Sequence, residues 1–250
     1  MKILGIDIGG SAIKGAPVDT RTGRLLADRH RVPIESPCPV KTGLAAVREI
    51  TRHFRWHGPV GIGFPGIVQE GRIGPVGNLG HAWEERNGGA LFRKATGCRV
   101  TLINDADAAG LAEMRFGAGR GEEGSVLMLT LGTGIGSALF YRGLLFPNAE
   151  FGHIPWRGKP IERFAAAVVR KRARLSWAQW GKRVNVYLAV MERLLSPDLI
   201  ILGGGVSKKS AKWFKFLRAQ GRLVPAKMHN EAGIVGAALA AARAAETRGK

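Results

Sequence analysis

The sequence predicts an α/β chain built as two related lobes, and three observations carry that prediction. Apolar runs that alternate poorly, at 2–8, 60–64 and 199–202, have the pattern of strands buried on both faces. Helical periodicities separate them, most clearly over 106–116 and 176–195. A scheme of strand, glycine turn and strand occurs twice, at 2–18 and again at 125–141, which is an internal pseudo-repeat.

At 250 residues the chain is long enough for a sizeable core in one large domain or two small ones. Its 45% hydrophobic and 23% charged content is ordinary for a globular protein. Its 36 glycines are not, and they cluster behind apolar segments, where backbone can approach a ligand closely. Cys38 and Cys98 are too few for a disulfide framework or a four-ligand metal site, which fits a reducing compartment. The first residues enter a strand pattern at once, so no signal peptide is expected, and no apolar run approaches the roughly 20 residues that span a bilayer. A cytoplasmic location is expected.

The net charge of +19 is unevenly placed. Residues 157–222 hold sixteen lysines and arginines against Glu162, Glu192 and Asp198, a local charge of +13. Such a segment attracts a polyanion, whether nucleic acid, anionic membrane or a long phosphate chain, or else is a solvated basic face.

Taken in order, strand 2–8 runs into Gly9-Gly10-Ser11-Ala12-Ile13-Lys14-Gly15, and strands are expected at 16–18 and 25–32 in an antiparallel meander. The glycines leave N–H groups to face an anion, with the Ser11 hydroxyl and Lys14 charge beside them. After a proline-rich loop, Thr42 is expected to cap a helix with Leu44, Val47, Ile50 and Phe54 on one face. Strand 60–64 ends in Pro65-Gly66, and a glycine-rich segment carries Asn78, His81 and Trp83. A short helix over 90–96 stops at Gly97, before a strand that ends at Asn104-Asp105 and enters the helix over 106–116. Strand 125–131 leads into Gly132-Thr133-Gly134-Ile135-Gly136, and its partner follows. Glu150 and His153 lie in a loop; helices are expected over 161–172 and 176–195, and 199–202 is expected to be the last strand, ending in Gly203-Gly204-Gly205. An alanine-rich helix over 231–246 closes the chain.

The glycine turns at 9–15, 132–136 and 203–205 each follow a strand, and three converging on one phosphate-bearing ligand are more specific than any alone. None is a P-loop, because no GxxxxGK followed by Ser or Thr occurs. Nor does 132–136 have the spacing of a dinucleotide fingerprint. Asn104 and Asp105, at the mouth of a helix, are open to two readings: helix caps, or a carboxylate that takes a proton from a substrate.

The motifs LGIDIGGSAIKG, GIGFPGIV, INDADAAGLAE, LTLGTGIGSALF, EFGH and ILGGGVSKK, in that order, resemble the ROK family of bacterial sugar kinases. The likeness is strongest to its polyphosphate glucokinase branch, including polyphosphate/ATP glucomannokinases, and runs from Ile3 to Ala242. It implies an actin-like, hexokinase-type (ribonuclease H-like) ATPase fold of two α/β lobes with a central cleft, and a homodimer. The expected division is a small lobe over 1–103, a larger lobe over 104–235, and a C-terminal helix over 236–250 packing back toward the first lobe.

By motif, the resemblance makes Asp105 the catalytic base. Gly66, Asn78, Asn104, Glu150, His153 and Glu162 match the sugar-binding positions. Asp7 matches the carboxylate near Mg²⁺, held through water. Gly9, Gly10, Ser11, Lys14, Thr133 and Gly134 match the phosphate turns, and Gly204 and Gly205 the far end of the donor groove. The residue types suit the chemistry: sugar hydroxyls need paired donors and acceptors, and a primary alcohol needs a carboxylate to accept its proton during in-line attack. His153 is alternatively a packed surface histidine, and Glu162 a helix N-terminal acid.

Several features depart from the family pattern. Lys159-Pro160-Ile161 replaces the usual small and acidic residues before Glu162, and Ala12 replaces a common glycine, which is expected to stiffen the first turn. No cysteine lies beyond Cys98, so the zinc cluster of many relatives is not expected, nor is the helix-turn-helix of the family's repressors. The expected activity is transfer of the terminal phosphoryl group of inorganic polyphosphate to the 6-hydroxyl of glucose. ATP, alone or in addition, is the alternative donor and mannose a further candidate acceptor. A non-catalytic sugar- or polyanion-binding protein is the reading from another class, and neither specific nucleic-acid binding nor membrane association is expected.

Overall fold

A computed structural model describes residues 1–76 and 79–247. The chain forms two compact units, Met1–Ala112 with Glu231–Lys250, and Glu113–Asn230.

In the first unit β1 (Lys2–Ile8) and β2 (Ala12–Asp19) make an antiparallel hairpin that sets Asp7 opposite Lys14. The expected third strand over 25–32 is instead two short ones, β3 (Arg24–Leu25) and β4 (His30–Pro33), both paired to β2 with bends between them. α1 (Val40–His53) starts two residues before Thr42, with Pro39 at its N-cap and no side-chain cap, so the cap expected of Thr42 is not made. The fixed φ of proline sets the entry that a side-chain cap was expected to supply.

β5 (Val60–Phe64) lies parallel to β1, and β6 (Gly66–Gln69) and β7 (Arg72–Val76) form a separate hairpin. α2 (Gly88–Thr96) is capped by Asn87, whose side chain accepts the Ala90 N–H at 2.8 Å, and ends at Gly97 with φ 71°. β8 (Val100–Asn104) completes the sheet β3-β2-β1-β5-β8 and passes without a loop into α3 (Asp105–Phe116). The core beneath this sheet holds Ile6, Ile13, Val47 and Ile50 with a ring cluster of Phe64, Trp83 and Phe92.

The second unit repeats the hairpin scheme. β9 (Ser125–Leu131) and β10 (Ile135–Tyr141) pair antiparallel, and β11 (Leu144–Phe146) continues at the edge. β12 (Pro155–Trp156) and β13 (Lys159–Pro160) form a small ladder. The helix expected over 161–172 is two, α4 (Glu162–Ala165) and α5 (Ala167–Arg172), broken at Ala166, whose ψ of 154° is extended. The break lets the Val168 N–H reach the Gly132 carbonyl at 3.0 Å, a bond a continuous helix would forbid.

α6 (Trp177–Leu195) opens on a capping box in which Ser176 and Gln179 satisfy each other's backbone N–H groups. β14 (Leu199–Gly203) lies parallel to β9. After α7 (Ser210–Trp213), a strand that the sequence reading missed, β15 (Arg222–Pro225), adds parallel to β14. The sheet order is β11-β10-β9-β14-β15.

The chain closes with α8 (Ala232–Glu246), part of the first unit. A methyl on Gly5 would overlap the Ile234 carbonyl, one on Gly61 the Ala237 carbonyl, and one on Gly236 the Ala108 carbonyl. α8 therefore rests backbone to backbone on β1, β5 and α3. Among the described residues no helix is long and apolar enough to cross a membrane.

Candidate active site

The junction of β8 and α3 separates two roles that the sequence left overlapping. Asn104, 5% exposed, is the cap: its Oδ1 accepts the N–H groups of Ala106 at 2.8 Å and Asp107 at 3.0 Å. Its Nδ2 donates to the Gly66 carbonyl at 3.1 Å, tying the start of β6 to the start of α3. Asp105 is the first residue of the helix, half-buried, and its Oδ1 accepts the Ala106 N–H at 2.8 Å. The carboxylate thus lies at the N-terminal, positive end of α3. Gly66, Asn104 and Asp105 are thus one bonded group; Asn78 lies outside the described residues.

The β1–β2 turn is closed by the Gly9 N–H on the Ala12 carbonyl at 3.1 Å, and Ala12 itself is buried. Gly10 and Ser11 are exposed, and a side chain at Gly10 would meet only open space, so this backbone is accessible to a ligand. Asp7 sits at the end of β1. Burial pushes its carboxyl above the usual range, against the opposing pull of Lys14 and Arg29. A methyl on Gly233 would lie 2.8 Å from the Asp7 Cγ, so glycine is what admits this carboxylate to the first turn of α8.

In the second unit His153 stands between two carboxylates. Its Nδ1 is 4.0 Å from Glu150 Oε2 and its Nε2 3.9 Å from Glu162 Oε1. The three polar side chains singled out in this stretch therefore converge. Burial raises the Glu150 carboxyl; His153 opposes this and Glu162 adds to it. Glu162 also reaches the glycine turn, where its Oε2 accepts the Ile135 N–H at 3.0 Å and fills the space that a Cβ on Gly134 would need. The unusual Ile161 before it is fully buried and donates its N–H to the Ile154 carbonyl at 2.9 Å, so the departure from the family pattern supplies core and leaves Glu162 in place.

Thr133 is exposed and Gly132 faces open space. Gly204, at φ 84°, packs so closely on the Leu131 backbone that no Cβ could fit, while Gly205 is open. The turns at 132–134 and 203–205 are thus neighbours at the carboxyl ends of two parallel strands.

Two contributors escaped the sequence reading. The Ser137 hydroxyl donates to the Ala149 carbonyl and accepts the Phe151 N–H at 2.9 Å, which fixes the loop bearing Glu150 and His153. Ser137 is buried, and a lone hydroxyl in an otherwise apolar strand is the signal that was available. Tyr187 on α6 is fully buried, and its hydroxyl has no hydrogen-bond partner among the described residues. Burial first, then the charges of Glu162 and Glu150, drive its pKa strongly upward. It falls in helical register with Val184 and Met191, the apolar face already recognised.

The chain is similar to known proteins over nearly its whole length. A polyphosphate glucokinase of Mycobacterium tuberculosis is 42% identical over 95% of this chain and 90% of its own length. The crystal structure of inorganic polyphosphate/ATP-glucomannokinase from Arthrobacter sp. strain KM superposes with a TM-score of 0.94 at 44% identity, over 97% of this chain and 99% of that one. A ROK family glucokinase from Streptomyces griseus, solved in complex with glucose and AMPPNP, gives 0.79 at 26% identity, over 97% of this chain and 100% of that one. The two units accordingly have the actin-like sugar kinase fold. A model of the ROK family matches residues 3–167, and the chain belongs to that family.

Proposed function

We propose that this protein is a glucokinase that transfers the terminal phosphoryl group of inorganic polyphosphate to the 6-hydroxyl of glucose, giving glucose 6-phosphate. The observation that carries the reading is the division of labour at the β8–α3 junction. Asn104 does the capping, so Asp105 is not needed for it and stands at a helix N-terminus. The relatives support the donor and the acceptor.

In this reading Asp105 accepts the proton of the 6-hydroxyl as it attacks. Glu150, His153 and Glu162 supply hydrogen-bond acceptors and a donor to the remaining sugar hydroxyls, with Asn78, Asn104 and Gly66 completing the set. Ser137 is a positioning residue, since it acts through the loop. Gly9, Gly10, Ser11, Lys14, Thr133 and Gly134 face the donor phosphates, and Gly204 and Gly205 its far end.

Asp7 fits a magnesium ion held through water. Mg²⁺ is bound by one or two carboxylates together with substrate phosphates, and Asp7 is a lone carboxylate beside an open glycine turn. When bound, the ion neutralises charge on the transferring group.

ATP as an additional donor is the second reading, favoured by the likeness to a polyphosphate/ATP-glucomannokinase, which also makes mannose a candidate acceptor. A homodimer and a cytoplasmic location belong to the same reading; the free, buried thiols of Cys38 and Cys98 fit a reducing compartment. The test is a matrix of donor against sugar with purified protein and Mg²⁺. Glucose 6-phosphate should form from polyphosphate, and its absence with every donor would remove the reading.

A further inference from the structure

The carboxyl edge of the parallel strands in the second unit carries more positive charge than a glycine-lined phosphate turn requires. Three connections leave that edge side by side, because β9, β14 and β15 are parallel neighbours. They are the Gly132–Gly134 turn, the segment from Gly203 into a short 3-10 turn at Ser207–Lys209, and the loop after Pro225 with Lys227. Ligands of α/β sheets bind at this end of the strands.

From 199 to 230 the sequence holds seven lysines and arginines and no aspartate or glutamate. Three of these cations are engaged: Arg222 pairs with Glu122 at 3.0 Å, Arg218 donates to the Lys215 and Leu217 carbonyls, and the Lys215 ammonium lies over the Phe216 ring at 5.3 Å. Lys208, Lys209 and Lys212 are exposed and make no ion pair among the described residues. At spacings of one, three and four they follow one side of the short helical run into α7.

That run is anchored. Ser207, 1% exposed, donates its hydroxyl to the Gly204 carbonyl at 2.8 Å, and Trp213, fully buried, donates its indole N–H to the Val206 carbonyl at 3.2 Å. Gly204 in turn packs on Leu131, one residue before the Gly132 turn. The three lysines thus extend from an anchored backbone that begins at the glycine turns. The carboxylate of Glu113, which lies near the third connection, is buried and occupied by the N–H groups of Ala118 and Met228.

We propose that Lys208, Lys209 and Lys212 form a track for the part of the donor beyond its transferred end, a linear chain of phosphates. This rests on the glucokinase reading above and adds a specificity element to it. A nucleoside triphosphate has three phosphates followed by an uncharged base and sugar. A longer polyphosphate continues with about one negative charge per unit, and each unit reaching the track exchanges counterions for lysine.

The experiment compares wild type with a K208A/K209A/K212A variant, measuring KM for tripolyphosphate, long-chain polyphosphate and ATP at several salt concentrations. A control variant, K171A/R172A/R174A, removes the same charge from an exposed basic stretch elsewhere in the unit. The track predicts that KM for long-chain polyphosphate rises roughly tenfold or more in the first variant, with a smaller rise for tripolyphosphate. The slope of log KM against log salt for the long chain should fall by about two, kcat should hold, and the control should behave as wild type.

Equal losses in the two triple variants would make the effect a general field and overturn the track. So would an unchanged KM in the first variant, or a wild type that phosphorylates glucose from ATP and not from polyphosphate. In those cases the sugar-kinase reading stands. Wild type that forms no glucose 6-phosphate from either donor removes that reading and the track together. Circular dichroism of both variants distinguishes lost binding from lost fold.

Discussion

Asp105 and Glu150 carry the residue-scale predictions. If Asp105 is the base, Asp105→Asn should lower kcat by about 10²- to 10⁴-fold while moving the KM for glucose little, since an amide keeps the shape and loses the proton acceptor. Steady-state kinetics with full activity in that variant would reject the assignment. Glu150 predicts a pH effect. Burial holds its carboxyl above the ordinary glutamate range, so it protonates earlier as pH falls and, in the proposed role, loses the charge that strengthens its bond from a sugar hydroxyl. KM for glucose should therefore rise on acidification sooner than an ordinary glutamate would cause, and Glu150→Gln should flatten that rise. Stability runs the other way. A carboxyl with a raised folded-state pKa costs stability at neutral pH, and the cost is relieved as pH falls through that raised value. Glu150→Gln should thus raise Tm at neutral pH, with the gain vanishing below the ordinary glutamate range. Tyr187 gives a stability test as well. Its buried hydroxyl makes no hydrogen bond, so Tyr187→Phe should stabilise by about 1 kcal/mol, seen as a rise in Tm of roughly 2–4 °C. A fall in Tm would mean that the hydroxyl is satisfied in solution.

Elements were legible where local chemistry determined them. The Gly97 end of α2, the face of α6 and the hairpins β1–β2 and β9–β10 all follow from spacing and glycine placement. Elements set by distant partners were not. β15 has only four residues and exists by pairing with β14, while the break between α4 and α5 serves a bond to Gly132. The site shows the same split. Asn104-Asp105 reads as a junction from sequence, but which of the two caps is a matter of geometry. Glu162 reads as a helix N-terminal acid, while its hold on Ile135 depends on a residue 27 positions away. The glycine seam beneath α8 was similarly hidden, since Gly5 and Gly61 look like any strand glycines until Ile234 and Ala237 are placed against them. Gly61→Ala should therefore cost about 1–3 kcal/mol by overpacking, measured by urea denaturation. An unchanged midpoint would show that α8 can lift from β5 without loss.

At the scale of the whole molecule the unspent feature is an apolar sheet edge. β11 is the last strand on its side of the second unit's sheet, with Leu144 and Phe146 73% and 65% exposed. Tyr141, 65% exposed, lies directly across from Leu144 in the β10–β11 ladder, so the three side chains share one face. The hairpin between them is tight, with Arg142 and Gly143 at φ 52° and 74°, which suits a two-residue turn and holds the face rigid. An edge of this kind is ordinarily blunted by charge or covered. Here a second copy of the chain is the proposed cover: an edge strand meeting its own copy about a two-fold axis pairs antiparallel and buries the same face from both sides. Replacing Leu144 with Glu and Phe146 with Lys should convert a wild-type dimer into a monomer in sedimentation velocity, with an unchanged circular dichroism spectrum. A variant that stays dimeric would move the interface elsewhere, and a monomeric wild type would remove the dimer itself. Glu150 lies four residues beyond β11, and its loop is pinned to β10 through Ser137. Loss of the dimer should on this account also raise KM for glucose more than it lowers kcat, because it loosens the strand next to the loop proposed to hold the sugar and leaves Asp105 untouched.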